Sequence, residues 1–237
     1  MKSRIHPVFL GLCLAASTHV CAAQVGYPPD HSPYQDVRAG GTTLFGYGYI
    51  GGTRGVVGVG PSAGQVYSAR YEVSFGRMFG IHVEVADATT TRYLVDPTKG
   101  VSTRMTGPVD NSLTLAQVGA QVLLTGGKSW HGLAPYIGAS VGAAYAGTLP
   151  ADTSQYKFGA KVIFGPEVGV RWYLTRRLAM RFDTKMIFWK LSYPLEYRVP
   201  PTTCTGGTDC TALVGVSDPL TEWTHHFWFN VRVGWTF

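Results

Sequence analysis

Charged residues and long apolar runs are both scarce in this chain of 237 residues. Asp, Glu, Lys and Arg together make up only 14% of it, and the 20 basic residues form no extended run. A chain without a basic run gives no indication that it binds nucleic acid. After residue 23, no uninterrupted apolar stretch approaches the roughly 18 residues that indicate a membrane-spanning helix, which excludes helical membrane spans.

The first 23 residues have the pattern of a secretory signal peptide. Lys2 and Arg4 precede an apolar stretch from 8 to 16, and small residues follow before a break at Ala23 and Gln24. This stretch is shorter than the ~20 residues that a spanning helix needs, which favours cleavage over a membrane anchor. We therefore predict that residues 1–23 are a cleaved signal peptide.

Cysteine is also scarce, with 4 in total, and two of them, Cys13 and Cys21, would leave with the signal peptide. Cys204 and Cys210 remain as one close pair in an exported chain. In an oxidising compartment such a pair indicates a disulfide that closes a short loop. A zinc site would need four ligands, and no His or Cys lies near this pair in the sequence, so we predict no metal site.

Glycine and aromatic residues are abundant, with 30 Gly and 13% aromatics, a balance that favours many short strands joined by turns. Residues 24–42 contain several prolines and show no apolar period, so we predict a flexible periplasmic tail. From residue 43 onward, segments with strand character cover 43–50, 65–76, 79–90, 112–124, 133–146, 157–173, 177–193 and 222–237.

The connections between these segments alternate between two kinds. Short ones lie at 77–78, 126–132 and 174–177. Long ones, rich in Gly, Pro, Asp and Thr, lie at 51–64, 91–111, 147–156 and 194–221. Short periplasmic turns that alternate with longer extracellular loops are expected of a transmembrane β-barrel, in which an even number of strands leaves both termini on the periplasmic side.

Strand faces alternate between apolar and polar residues. In the last segment, Phe227 and Phe229 share one face, while Asn230 lies on the other. The same period predicts that the even positions from Phe158 to Trp172 face lipid. A soluble β-sandwich also alternates, but the signal peptide, the loop asymmetry and the aromatic residues near strand ends favour an all-β, eight-stranded antiparallel up-and-down transmembrane β-barrel over residues 43–237.

The lumen of such a barrel is just wide enough to be filled by side chains. Charges in so narrow a space must pair, because an unpaired buried ion costs several kcal/mol. The strand period predicts a lumen ion-pair network made of Arg70, Glu72, His82, Glu84, Lys161, Glu167, Arg171, Arg181, Asp183, Lys185, Asn230 and Arg232. Two interpretations stay open: the network fills and stiffens the barrel, or its excess positive charge lines a narrow path for small anions.

The segment Gly165–Tyr173 and the ending Trp235-Thr236-Phe237, together with the strand count and loop asymmetry, resemble the small eight-stranded outer-membrane barrels that include the OmpA transmembrane domain, OmpX, OmpW and the opacity proteins. The resemblance covers about residues 43–237. It implies location in the outer membrane of a Gram-negative bacterium, contact with outer-membrane lipid and lipopolysaccharide, and insertion by the barrel assembly machinery, with Trp235 and Phe237 as the assembly signal. The charged lumen looks more like that of OmpA or OmpX than that of OmpW.

We expect a barrel without catalytic residues or cofactors, whose long loops contact an extracellular partner or support envelope integrity. One alternative is a narrow channel for small solutes. A second is an enzyme that modifies lipid A. The lipid A deacylases among small barrels carry a Ser two residues after a His on one strand, whereas here Phe227 and Trp228 follow His225 and His226 at that spacing, which counts against a deacylase.

Overall fold

The computed structural model describes residues 32–150, 152 and 154–237. The predicted signal peptide, 1–23, and residues 24–31 of the predicted tail lie outside the described residues. A compact unit covers Tyr34–Phe237. Among the described residues, no helix is both long enough and apolar enough to cross a membrane.

Antiparallel strands dominate the structure, and each pairs with its neighbours over most of its length. In chain order they are β1 Tyr34–Asp36, β2 Gly41–Gly52, β3 Ser62–Phe75, β4 Phe79–Val95, β5 Met105–Leu123, β6 Lys128–Trp130, β7 Leu133–Ala146, β8 Gly159–Tyr173, β9 Leu178–Ser192 and β10 Thr221–Thr236. Two single-turn 3-10 helices, Leu195–Arg198 and Gly207–Cys210, lie between β9 and β10.

Eight of these strands close into a barrel, which confirms the predicted fold class. Their order is β7, β5, β4, β3, β2, β10, β9 and β8, and β8 pairs back onto β7. The closure between the first and last barrel strands runs from His226 opposite Gly52 to Thr236 opposite Thr42. Each strand of the barrel is therefore paired on both sides along most of its length. This pairing satisfies the hydrogen-bonding groups of the backbone without water.

The two ends of the barrel differ. Short turns at 76–78, 124–132 and 174–177 join strands at one end, called here the short-turn end. The long-loop end carries four loops, which we call the crown: 53–61, 96–104, 147–158 and 193–220. This asymmetry follows the predicted alternation.

Two boundaries differ from the sequence prediction. Residues 34–36, predicted as part of a flexible tail, form β1 on β6, and β2 begins at Gly41 rather than at 43. Three residues are too few to show a period, so this strand left no readable pattern.

The hairpin of β4 and β5 also extends farther than predicted. The predicted loop 91–111 shrinks to 96–104, because Arg92 pairs with Val109 and Val95 with Met105. Its polar Thr-rich sequence resembles a loop, but threonine is β-branched and suits a strand wherever a partner strand continues.

The two faces of the barrel are inverted relative to a soluble protein. Arg70, Arg181 and Arg232 are buried inside, with 1% exposure or less, whereas Phe45 and Val162 on the outer face are 66% and 70% exposed. A β-sandwich in water would bury the apolar face instead. This inversion separates the two folds that the strand period alone left open.

Phe158 corrects one predicted facing. It was predicted to face lipid, but it is buried inside, 4% exposed, against Trp189. Gly159 follows it with φ +60°, a left-handed conformation that glycine adopts without strain. The turn at this glycine breaks the alternation, so the residue before β8 points into the barrel.

Candidate functional site

The lumen of the short-turn half holds a continuous network of ion pairs from β3, β4, β8, β9 and β10. Glu72 on β3 contacts three arginines: Arg171, Arg181 at 2.7 Å and Arg70 at 3.8 Å. Three cations around one carboxylate would repel each other if that carboxylate were absent.

A second carboxylate, Glu167 on β8, links this group to the rest of the lumen. Both terminal nitrogens of Arg70 donate to it, at 2.9 and 3.1 Å, and Arg181 donates at 3.1 Å. Lys185 lies 3.4 Å from its other oxygen. A forked arginine–carboxylate pair of this kind fixes orientation as well as charge.

The upper level of the network is built on Glu84 and Asp183. Lys185 and Arg232 both donate to Glu84, and Arg232 also donates to Asp183. Arg70 approaches Glu84 at 3.7 Å and Arg181 approaches Asp183 at 3.4 Å, so the two levels share two arginines. The network as a whole contains five cations and four carboxylates, all buried: Arg70, Arg171, Arg181, Lys185 and Arg232 with Glu72, Glu84, Glu167 and Asp183.

Neutral side chains accept further hydrogen bonds from the arginines of the network. Gln121 accepts from Arg70 at 3.0 Å, and Tyr136 accepts from Arg181 at 2.5 Å. His82 Nδ1 lies 2.6 Å from a nitrogen of Arg70. Because arginine only donates, Nδ1 must accept here, which places the proton of the neutral His82 ring on Nε2.

Asn230 joins the network from β10. With its amide oriented to satisfy its neighbours, its oxygen accepts from Trp228 Nε1 at 2.8 Å and from Arg232 at 2.6 Å, while its nitrogen donates to the Tyr47 carbonyl at 3.2 Å. The side chain therefore bridges the charged part of the lumen to the apolar part above it.

Lys161 is the predicted member that the structure does not bring into the network. It lies half-buried near the long-loop end of β8 and forms no ion pair with any described acidic residue. The other predicted members lie together inside the barrel. Lys161 has the correct strand parity, but it lies above the level at which the four carboxylates occur.

An apolar cluster, which the sequence analysis missed, fills the long-loop half of the barrel and continues into the crown. Inside the barrel, Trp189 stacks on His226 with ring centroids 3.8 Å apart, and Lys185 lies 4.9 Å from the centre of Trp228. All four loops or their flanking strand ends contribute buried members: Val57, Val59, Val95, Tyr156, Phe158, Tyr193, Tyr197 and Val214. The available signal was the run of valines and tyrosines in segments predicted as polar loops.

Two loops of the crown are joined through Asp209. Cys204 and Cys210 form a disulfide with Cα atoms 5.4 Å apart, and the short loop that this disulfide closes contains Asp209. The Asp209 carboxylate accepts from the backbone and hydroxyl of Ser102, at 3.0 Å each, and from those of Thr205, at 3.1 Å each. These hydrogen bonds, the backbone bond of Ser102 foremost, lower the pKa of Asp209 to about 2.

Backbone pairing supports the same contact between loops. Lys99 and Thr203 form a parallel bridge, and Gly100 N donates to the Thr203 carbonyl at 2.9 Å. Thr203 N in turn donates to the Thr98 carbonyl at 3.0 Å. Loop 193–220 therefore lies against loop 96–104 along several residues.

Buried polar contacts tie the other loops into the crown. Arg92 on β4 and Asp152 form an ion pair at 2.5 Å with both side chains almost fully buried, and Arg92 lies over the ring of Tyr156 at 5.4 Å. Tyr193 donates to Glu222, and burial first, then this hydrogen bond, raises the pKa of Tyr193. The crown is thus held by specific contacts as well as by apolar packing.

The short-turn end is partly covered by the segment around β1. Val37, just after β1, packs with Leu123, Ala134 and Tyr136 in a small apolar cluster. Val37 N donates to the Gly127 carbonyl at 3.0 Å. This contact places an apolar side chain below the charged network.

The fold and lumen together define a small, closed eight-stranded barrel of the outer-membrane type. No protein-family model matches the chain, and no curated protein matches it. Among solved structures, the chain is similar to the outer membrane protein OprG from Pseudomonas aeruginosa, at 10% identity and a TM-score of 0.51, over 85% of this chain and 98% of that chain.

Two other solved structures align over a similar length. Neisserial surface protein A is 11% identical with a TM-score of 0.47, over 84% of this chain and 98% of that chain. Ail, the attachment invasion locus protein of Yersinia pestis, is 12% identical with a TM-score of 0.41, over 84% and 100%. At these identities the likeness concerns the fold alone, and that fold is the one that the resemblance implied.

Proposed function

We propose that this chain is an integral barrel of the bacterial outer membrane, without catalytic activity, whose lumen is closed to solutes and whose crown makes contacts at the cell surface or supports the envelope. The observation that carries the proposal is the filling of the lumen. Buried ion pairs occupy its short-turn half, and the cluster around Trp189 and Trp228 occupies its long-loop half.

The outer face supports the membrane location. Exposed apolar and aromatic side chains cover the outer face of the strands. A continuous apolar surface on a closed barrel is stable in lipid rather than in water. Outer-membrane lipid and lipopolysaccharide are the proposed surroundings of this face. The closing strand β10, with Trp235 and Phe237, is the proposed contact for the barrel assembly machinery.

The crown is the proposed site for an extracellular partner. Its loops are ordered by the disulfide, by the Asp209 contacts and by a shared apolar cluster, so the surface that it presents is preorganised. Preorganised surfaces bind with a smaller loss of conformational entropy than mobile ones.

The absence of catalysis is argued from the two neighbouring histidines of β10. His226 is buried against Trp189, and His225 is exposed on the outer face. Their side chains lie on opposite faces of the strand, so they do not form a pair, and Phe227 and Trp228 offer no nucleophile beside them. The proposal therefore assigns them packing roles.

Single-channel conductance tests the closed lumen. We expect the refolded protein in a planar bilayer, after a gel-shift check of folding, to show no stable openings. The double variant Trp189→Ala with Trp228→Ala should open the long-loop half and raise the conductance clearly above that of the parent protein. Trp223→Ala, which removes an outward-facing tryptophan of β10, is the matched control and should stay silent.

A different result would favour the alternative of a narrow channel. If the unmodified protein shows stable openings, and if Arg181→Ala or Glu167→Ala alters their conductance while the barrel stays folded, the lumen network lines a conduction path. The proposal of a closed barrel would then be wrong.

A further inference from the structure

Positive charge is concentrated at one end of the barrel. The long-loop end carries equal numbers of basic and acidic side chains: Arg54, Arg92, Lys99, Arg104, Lys157, Lys161, Lys190 and Arg198 against Asp87, Asp96, Asp110, Asp152, Glu196, Asp209, Asp218 and Glu222. Among the described residues, the short-turn end carries five cations against one acidic side chain, Asp36. The five cations, which we call the basic rim, are Arg38, Arg77, Lys128, Arg176 and Arg177.

The basic rim is not neutralised by the protein. All five of its side chains belong to exposed residues. Arg77 pairs with Asp36 at 3.2 Å, with both side chains more than half exposed. The other four form no ion pair with any described residue, whereas each lumen carboxylate contacts at least two cations. An ordinary solvated surface carries both signs in similar numbers, whereas the described part of this one carries five cations and a single acidic side chain.

The cations are spread around the circumference rather than gathered in one groove. Arg77 lies in the turn between β3 and β4, Lys128 follows β5, and Arg176 and Arg177 lie in the turn between β8 and β9. Each of the three short turns therefore carries at least one cation. A ring of this kind suits many small anionic groups around the barrel better than a single soluble partner.

The rim lies at the level of an aromatic belt. Trp172 is the last residue but one of β8, just before the turn at 174–177. Thr236 N donates to the Arg177 carbonyl at 2.8 Å, which places Trp235 beside the same turn. Both tryptophans face outward and are 42% and 44% exposed. Outward tryptophans of this kind lie at the boundary between hydrocarbon and headgroups, so the neighbouring arginines reach the headgroup phosphates.

We infer that the basic rim binds anionic phospholipid headgroups in the membrane leaflet at the short-turn end. This inference rests on the proposed outer-membrane location, in which that leaflet faces the periplasm. Guanidinium groups bind phosphate oxygens through paired hydrogen bonds, and each basic side chain near an anionic lipid surface strengthens the association roughly fivefold. Arg176 also lines, with Arg38 and Tyr173, a half-open surface cavity of about 830 Å³ that would accommodate a headgroup.

Tryptophan fluorescence in vesicles provides the test. The full chain is refolded into mixtures of phosphatidylcholine and phosphatidylglycerol, one of the two brominated, and the quenching gives the relative affinity for each lipid. We expect preference for phosphatidylglycerol in the unmodified protein. Arg176→Gln with Arg177→Gln should lower this preference by roughly fivefold or more. Every protein compared carries Trp223→Phe, so that the exposed tryptophans that remain, Trp130, Trp172 and Trp235, lie at the short-turn end and make the readout local.

The matched control removes two exposed cations at the other end. Lys99→Gln with Lys157→Gln changes the net charge equally and should leave the preference unchanged. A barrel that is inserted, as judged by its gel shift without heating, but shows no preference for phosphatidylglycerol would overturn the inference alone. Failure to insert into any vesicle would instead overturn the proposed membrane location.

Two further outcomes would also overturn the inference. If the control variant loses as much preference as the arginine variant, the effect is one of net charge and not of the rim. If isolated peptidoglycan retains the protein through Arg176 and Arg177 while lipid preference is unaffected, the occupant of the rim is the cell wall and not the lipid.

Discussion

At the scale of single residues, the lumen depends most on its carboxylates. Glu72 holds Arg171, Arg181 and Arg70 together, and each of these is almost completely shielded from water. A buried ion pair adds little over an apolar pair of the same shape, but removal of one partner leaves an uncompensated charge. Because the carboxylates are fewer than the cations, loss of a carboxylate should destabilise the barrel more than loss of a cation.

Glu72→Gln should lower the free energy of unfolding by about 3 kcal/mol, because three buried arginines lose their shared acceptor. Urea unfolding in lipid vesicles measures this change. Adding Arg171→Gln to the same chain should recover part of the loss by restoring the balance of charge. Asp110→Asn, an exposed carboxylate without an ion pair to any described residue, is the control and should have little effect. Equal losses in Glu72→Gln and Asp110→Asn would argue against a stabilising network.

Strand parity could predict which residues enter the barrel because an extended chain alternates its faces whatever its partner is. It could not predict which cation meets which carboxylate, since that depends on the register between strands far apart in the sequence. Arg70 with Glu167 is one example, and the absence of an acidic partner for Lys161 is another. The facing of Phe158 was lost for a local reason, the left-handed Gly159.

At the scale of elements, the eight long strands were readable from the sequence and the crown was not. Strands carry their own period, whereas the crown is made by contacts between loops, such as Thr203 on Thr98 and Asp209 on Ser102. The valines and tyrosines in the loops pack against residues of other loops, and the sequence of one loop does not indicate which residues these are. The extra strand pairing of β1 with β6 was missed for the same reason.

Asp209→Asn should loosen loop 193–220 from loop 96–104. The amide replaces an acceptor with a donor that faces the donors of Ser102 or Thr205, so trypsin should cleave after Lys99 and Arg104 roughly fivefold faster. Asp218→Asn, in the same loop but outside this contact, is the control. The barrel itself should keep its gel shift in both variants. Unchanged cleavage in Asp209→Asn would show that the disulfide and backbone pairing hold the contact without the carboxylate.

The same contact should depend on pH in one direction. The pKa of Asp209 falls from 3.8 to about 2 when the hydrogen bonds form. A lowered pKa means that ionised Asp209 stabilises the contact fully above its ordinary pKa and that this stabilisation is lost as the pH falls from about 3.8 through 2. The loops should therefore stay joined at neutral and mildly acidic pH.

At the scale of the whole molecule, the protein is organised by two inversions. Along its strands the charges lie inside and the apolar side chains outside, and among the described residues the excess of positive charge lies at the short-turn end. The first inversion requires lipid around the strands, and under the inferred binding of phospholipid headgroups the second orients the barrel in that lipid. Both features follow from the positions of charged and apolar residues and not from sequence similarity. They therefore indicate the same fold as that of OprG, although the two chains are only 10% identical.

Val118 tests the first inversion. It lies on the outer face of β5, 53% exposed, in the middle of an apolar stretch of that face. In a membrane, Val118→Arg should cost about 2–4 kcal/mol because the charge enters hydrocarbon. Ser112→Arg, on the same face of the same strand but above the apolar stretch, should cost much less. Folding in lipid vesicles under urea measures both. In a water-soluble sheet, both exposed positions would accept arginine equally well, so equal tolerance would refute the membrane barrel while leaving the strand pairing intact.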